Sequence, residues 1–388
     1  MCVIGVGYVG ETLVKEFSTF YNTIGFDLST ARIDYLKTQY KDTSNVRLTS
    51  DPNLLKQGTH FLISVPTLVN ADNSINTKHI LSAISTVTTY APYGSTIVIE
   101  SSVCVGMSRQ LLGPHLANYH CGMSPERVDP GRVSPAPYDI PKIISGMDAA
   151  ALENIHDLYA PIFRQVVPVS SCETAEMTKL YENCFRMVNI AYVNEIADAC
   201  AANGIDAKEM MQAASTKPFG FMPFSPGLGV GGHCIPVNPH YLKVNCSLPI
   251  LEKSTKRMAA RPSKIAKEFY KKVRRHASQP HSDSPPFVPA SRARVLVVGQ
   301  AFKAGQSLTT NSPAHAFARS LRELGASVTY HDPLVEQKDV PFAKKLRNGQ
   351  WNRKYIEKEF DAVAICLKQK GVDLDVLYGL DGVLVKSF

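Results

Sequence analysis

A short apolar run, Cys2-Val3-Ile4, feeds straight into Gly5-x-Gly7-x-x-Gly10, and no other feature of the 388-residue chain restricts its fold as much. Glycines at that spacing after a strand make a tight turn, let backbone approach a pyrophosphate, and seat a helix with its N-terminus toward the phosphates. Tyr8 and Val9 lie inside this turn. The next apolar run, TIGFD, ends on Asp27, an acid placed for ribose hydroxyls. A carboxylate there repels a 2′-phosphate, so the pattern predicts NAD over NADP, with Arg32 as a nearby contrary charge. Met1 falls inside the first strand, which makes that strand short.

Strand-like runs then alternate with helical patterns: CVIG, NTIGFD, HFLISVP, STIVIESS and KIISG. Such alternation predicts a parallel sheet with crossover helices. From Glu173 to about Asn203 the pattern becomes one long helix without Gly or Pro, and Gly204 is its stop signal. Residues 276–293, rich in Pro and Ser, read as a linker. ARVLVVGQAFK, SPAHAFARSLRELG and ASVTYHDP after it read as a second small α/β unit. The expected fold is α/β, with two Rossmann-like domains of parallel sheets joined by a long central helix in an all-α middle domain. The expected boundaries are 1–170, 171–275, the linker 276–293, and 294–388.

Composition excludes several classes of function. Hydrophobic residues at 44% and charged residues at 20% are ordinary for a soluble enzyme. No apolar run has the length of a membrane span, and no basic flank with an apolar core opens the chain, so a cytoplasmic protein is expected. Nine cysteines without regular spacing make neither a disulfide framework nor a zinc site, and no metal is expected. The net charge of +8 lies largely between Lys253 and Arg294 and between Lys338 and Lys358, without interleaved aromatics. That favours a solvated surface or a phosphorylated small molecule over nucleic acid.

The chemistry concentrates in SPGLGVGGHCIPVNP, Ser225 to Pro239, where Cys234 ends a glycine-rich loop. Such a loop brings backbone amides against an anion and holds a thiol at the same place. A nicotinamide cofactor and a presented thiol together point to oxidation through a thioester. Lys179 and Asn183, four apart, leave one face of the long helix. Alone they read as an exposed polar stripe; beside Cys234 they suit an oxyanion donor and an amide that fixes water. His233 adjoins the thiol, but neighbours in a loop usually point apart, so spacing or packing is its expected role.

Across nearly its whole length the chain resembles the UDP-glucose/GDP-mannose dehydrogenase family, the nucleotide-sugar 6-dehydrogenases. The residues that carry the resemblance are GVGYVG, SVPT (Ser64 to Thr67), ESSV (Glu100 to Val103), SPERVDPG (Ser124 to Gly131), the central helix, the cysteine loop, and VGQAFK with NSPA. The resemblance implies NAD binding by Gly5, Gly7, Tyr8, Val9, Gly10, Asp27, Arg32, Pro66, Thr67 and Ser102. It implies that Cys234 attacks a C6 aldehyde, that Lys179 stabilises the oxyanion, and that Asn183 holds an oxygen or water. Glu126 matches the water-activating base, with a surface acid beside Arg127 as its alternative. Ser102 stands where the family has a water-ordering threonine, with a plain strand-end hydroxyl as its alternative. For substrate it implies Glu126, Arg127, Lys179, Asn183, Phe224, Gly227, Gly231 and Lys303, in a homodimer built on the central helix with the active site between domains. Pro130 where the UDP-glucose branch has a second glutamate, together with KPFGFMPF, places the resemblance in the UDP-N-acetylhexosamine branch.

Two departures stand out. Asn238 occupies the place of a family aspartate, and an amide orients water but accepts no proton at neutral pH. Thr310 stands where an arginine precedes SPA, which removes a bidentate contact to an anion. The final segment, FDAVAICLKQ to VLVKSF, also lacks usual polar residues. The alternatives are therefore UDP-glucose 6-dehydrogenase activity, oxidation that stops at the aldehyde, and a catalytically impaired paralogue that binds NAD or nucleotide sugar.

Overall fold

Four-residue apolar runs buried on both faces need neighbours on both sides and helices above and below, which is the economy of a parallel sheet. In the computed structural model, which describes residues 1–70, 72, 74–128, 134–277 and 293–388, that logic is carried out twice. The chain forms two compact units, 1–183 with 237–247, and 184–236 with 248–388. Most of the segment read as a linker, and Pro130, lie outside the described residues.

The first unit runs β1 (Cys2–Ile4), α1 (Tyr8–Phe17), β2 (Thr23–Phe26), α2 (Thr30–Gln39), β3 (Val46–Thr49) and β4 (His60–Ile63). A two-stranded ribbon, β5 (Leu68–Val69) and β6 (Ile75–Asn76), precedes α3 (Lys78–Tyr90), β7 (Thr96–Ile99) and α4 (Met107–Leu112). Then come β8 (His120–Met123), β9 (Lys142–Gly146), α5 (Ala149–Tyr159) and β10 (Val166–Pro168). Eight strands form one sheet in the order β10-β9-β8-β7-β4-β1-β2-β3. The expectation of parallel strands holds at every pairing but one: β8 and β9 are antiparallel. No crossover helix joins them among the described residues, and antiparallel neighbours need none. The order reverses beside β1, with β2 on one side and β4 on the other, so the ligand crevice of such a sheet falls at the end of β1.

The long helix α6 (Cys172–Ala202) matches the sequence reading to within a residue at each end. Gly204 ends it at φ +68°, and the Ile205 N–H reaches back to the Cys200 carbonyl at 2.9 Å, a closing bond that left-handed geometry permits. Three more helices follow, α7 (Ala207–Ala214), α8 (Asn238–Lys243) and α9 (Pro249–Ala277). Pro262 inside α9 breaks the sequence pattern of a helix, yet the helix continues through it because one buried face, Leu251, Met258, Ala266, Phe269 and Val273, packs throughout. Lys253, Lys256, Lys264, Lys267 and Lys271 are exposed along the same helix.

In the second unit β11 (Arg294–Val298), α10 (Pro313–Glu323), β12 (Ser327–His331), β13 (Lys344–Lys345), α11 (Arg353–Glu359), β14 (Ala362–Ile365) and β15 (Leu384–Ser387) complete the chain. Their sheet, β13-β12-β11-β14-β15, is parallel throughout. Its core is Val295, Val297, Phe317, Leu321 and Ala364, packed against Phe269 and Val273 of α9. Among the described residues no helix is long and apolar enough to cross a membrane.

Candidate active site

At the end of β1 the glycine turn has the shape the spacing predicts. A Cβ on Gly10 would stand 1.9 Å from the Gly5 carbonyl oxygen, so only glycine lets α1 sit on the turn. A Cβ on Gly7, by contrast, would meet no atom within 4 Å, which leaves open space at the N-terminus of α1, where Tyr8 and Val9 begin the helix. Open space at a helix N-terminus suits a pyrophosphate, and the turn fits NAD on that ground. Asp27 braces this turn: its carboxylate accepts from the Val6 and Ser29 N–H groups, both at 2.9 Å. Arg32 donates to the Val6 carbonyl at 2.8 Å and pairs with Glu11 at 2.5 Å. Pro66 and Thr67 follow β4, and the Thr67 hydroxyl donates to the Ser102 carbonyl at 2.8 Å, so these two predicted residues do meet.

Lys179, Asn183, Glu126 and Asn238 also belong to the first unit. Asn183 and Asn238 are both buried, and the Asn183 side-chain N–H donates to the Asn238 side-chain oxygen. A carboxylate at 238 would accept the same N–H, so the amide preserves this contact. Lys179 lies one turn before Asn183 on α6. Arg127, expected to meet substrate, spends its donors within the protein: on Glu182 at 2.6 Å and on the Pro141 carbonyl at 2.7 Å. Glu126 Oε1 accepts from the Arg127 and Val128 N–H groups at 2.7 and 2.6 Å. Its Oε2 faces the ammonium of Lys142 at 3.6 Å, and Lys142 also holds Glu100 at 2.6 Å. Lys142 opens the strand-like run KIISG and Glu100 lies in the run STIVIESS and the motif ESSV, and nothing in the sequence pairs them.

Cys234, Phe224, Gly227, Gly231 and Lys303 lie in the second unit. Of nine free cysteines Cys234 alone is exposed. Its loop is tied at two points. The Gly227 N–H donates to the Asn194 side chain at 2.9 Å, and Arg261, itself paired twice with Asp198, donates to the Gly227 carbonyl at 2.9 Å. Farther along, the Gly232 N–H donates to the Thr310 carbonyl at 3.1 Å, and the Asn311 side chain donates to the Gly232 carbonyl at 3.0 Å. Gly232 takes φ +89°, which a residue with a Cβ adopts only under strain, and Asn311 takes φ +50°, which asparagine tolerates. Gly231 packs against Pro313 and Phe302, and Phe224 meets the Phe185 ring edge-on at 6.1 Å. His233 likewise turns its ring edge-on to Phe302, a packing role. Lys303 follows Phe302, and a cavity of about 300 Å³ beside them is lined by Gly227, Gly229, Phe302, Pro313 and Lys368. Asn194, Arg261 and Lys368 carried no recognisable sequence signal.

A dinucleotide turn on one mostly parallel sheet, a second, wholly parallel sheet and a loop that presents a thiol are the parts of an NAD-dependent dehydrogenase. Domain profiles described as "UDP-glucose/GDP-mannose dehydrogenase family" match residues 35–163 (NAD binding domain), 173–255 (central domain) and 296–374 (UDP binding domain). The chain belongs to that family and is a nucleotide-sugar oxidoreductase with NAD as its cofactor. It is 28% identical to Protein CapL of Staphylococcus aureus, with 97% of this chain and 95% of that protein aligned. It is 34% identical to the UDP-N-acetyl-D-glucosamine 6-dehydrogenase of Salmonella typhi over 62% of this chain and 61% of that one. A solved UDP-D-ManNAc dehydrogenase from Pyrococcus horikoshii shares the fold, at TM-score 0.82 and 24% identity over 100% of this chain and 99% of that one.

Proposed function

We propose that the protein oxidises the C6 alcohol of a UDP-N-acetylhexosamine twice to the uronic acid, with Cys234 as covalent nucleophile. The observation that carries this reading is the exposed Cys234 thiol at the end of a loop tied through Gly227 and Gly232. The names of the N-acetylhexosamine relatives support the substrate class.

NAD held at the glycine turn would supply the hydride acceptor for each oxidation at C6. The Cys234 thiolate adds to the aldehyde carbon, forming the C–S bond of a thiohemiacetal, and Lys179 donates to the oxygen that becomes negative. Loss of the second hydride leaves a thioester. Asn183 and Asn238 hold a water, which adds to the thioester carbon; its proton passes to Glu126, the C–S bond breaks and Cys234 leaves as thiolate. One water is consumed, two hydrides are transferred and three protons are released. Within this reading the Gly227–Gly232 loop and Lys303 hold the diphosphate, and the domain division is 1–170, 171–275 and 294–388.

The reading includes a homodimer. No residue from 201 to 227 is buried, although the stretch includes Phe219, Phe221 and Met222, and Tyr181 and Tyr192 stand exposed on α6. Apolar surface of that extent favours a second copy as its cover. Nine free thiols suit a reducing cytoplasm.

Purified protein with NAD and UDP-N-acetylhexosamines should form two NADH per sugar, and Cys234→Ser should lose the second oxidation while keeping NAD affinity. No NADH from any UDP-sugar, despite NAD binding, sinks the reading. The Asn183–Asn238 bond favours an active enzyme over an impaired one, because the orienting contact survives the change of aspartate to amide. Asn238→Asp is therefore expected to change kcat by less than about threefold; a much larger gain would mark hydrolysis as impaired here.

A further inference from the structure

The sheet of the first unit holds a buried ammonium that the proposed reaction does not use. Lys142 opens β9 at 3% side-chain exposure, with Glu100 Oε2 at 2.6 Å and Glu126 Oε2 at 3.6 Å. Glu100 lies just past β7 and Glu126 just past β8, so the three groups come from adjacent strands of one sheet. The second oxygen of Glu100 accepts from the Tyr159 hydroxyl of α5. Lysine, glutamate and tyrosine thus satisfy one another, and a charge pair buried purely for the fold would need nothing more. Yet the ammonium also faces Glu126, whose other oxygen is fixed by two backbone N–H groups.

We propose that Lys142 is a positioning residue for Glu126, holding the carboxylate that takes the proton of the hydrolytic water. The proposal rests on the base role of Glu126 in the reading above. Glu16 of α1, Glu100, and Tyr159 of α5 lie within electrostatic reach of Glu126, so without the ammonium these acids would be left to repel one another. Burial raises Glu100 to about 7 and also pushes Glu16 up. Lys142 stays charged: burial opposes the ammonium, and the Glu100 and Glu126 carboxylates overcome that opposition, lifting it above the ordinary lysine value.

The double variant Lys142→Met/Glu100→Gln removes the pair without leaving a lone buried charge. It should lower steady-state kcat roughly 10- to 100-fold while keeping the initial NADH burst. Lys142→Arg should retain most of the rate. A folded double variant with unaltered kcat overturns the proposal. If the double variant fails to fold, a folded Lys142→Arg that loses the initial NADH burst together with the steady-state rate does so. Wild-type turnover by Glu126→Gln removes the base assignment itself; loss of turnover there beside an unaltered double variant removes only the role of Lys142.

Discussion

The two sheets place an acid in the same position with opposite results. In the first, Asp27 follows β2 and braces the turn after β1 with one carboxylate oxygen to Val6. In the second, Asp332 follows β12, and the turn after β11 starts at Gly299, φ +81°. Asp332 is wholly buried, and its oxygens accept from the N–H groups of Gln300, Ala301, Leu334 and Val335 and from the Gln369 side chain. Helix α1 begins at Tyr8 beside open space, whereas α10 does not begin until Pro313. One acid is partly exposed; the other is consumed by its own loop. A shared β-turn-acid layout therefore does not imply a shared ligand, and the difference lies in what the carboxylate already holds.

The largest expected effect comes from the closed turn. Asp332→Ala orphans several buried N–H groups and should cost roughly 3 kcal/mol or more of stability in urea denaturation, with NAD affinity nearly unchanged. A loss of NAD affinity greater than the loss of stability would break the comparison. The reverse is expected at the open turn: Asp27→Ala should weaken NAD roughly tenfold or more by calorimetry and cost only about 1 kcal/mol of stability. The smallest effect is a pH dependence beside the closed turn. Burial lowers the pKa of His331, stacked on Trp351 at 4.0 Å, against the opposing pull of Asp332. Its neutral form is native, so its contribution is complete above the unfolded value of 6.5 and fades as pH falls through the lower folded value. His331→Phe keeps a stacked ring and should flatten the fall of Tm on acidification below that value.

Legibility in the sequence followed the range of the interactions. The glycine turn, Asp27 and the long helix with its Gly204 stop are local patterns, and each was readable from adjacent residues. The order and direction of strands were less so, since the β8–β9 reversal leaves no mark in either strand's apolar run. Helix α9 was hidden by Pro262 and by a basic surface that resembled a charge run. At the site, the roles proposed for Cys234, Lys179 and Asn183 rest on motif spacing and resemblance, while the Glu100–Lys142 pair, 42 residues apart, exists only once β7 and β9 flank β8. Arg127, which the resemblance implied for substrate, donates to Glu182 and to the Pro141 carbonyl, partners that no local pattern announces.

The tie on the cysteine loop has a meaning for sequence drift. Residue 310 grips Gly232 with its main-chain carbonyl, a group every amino acid possesses. Any side chain at 310 that keeps the backbone path therefore leaves the tie on the thiol's loop in place.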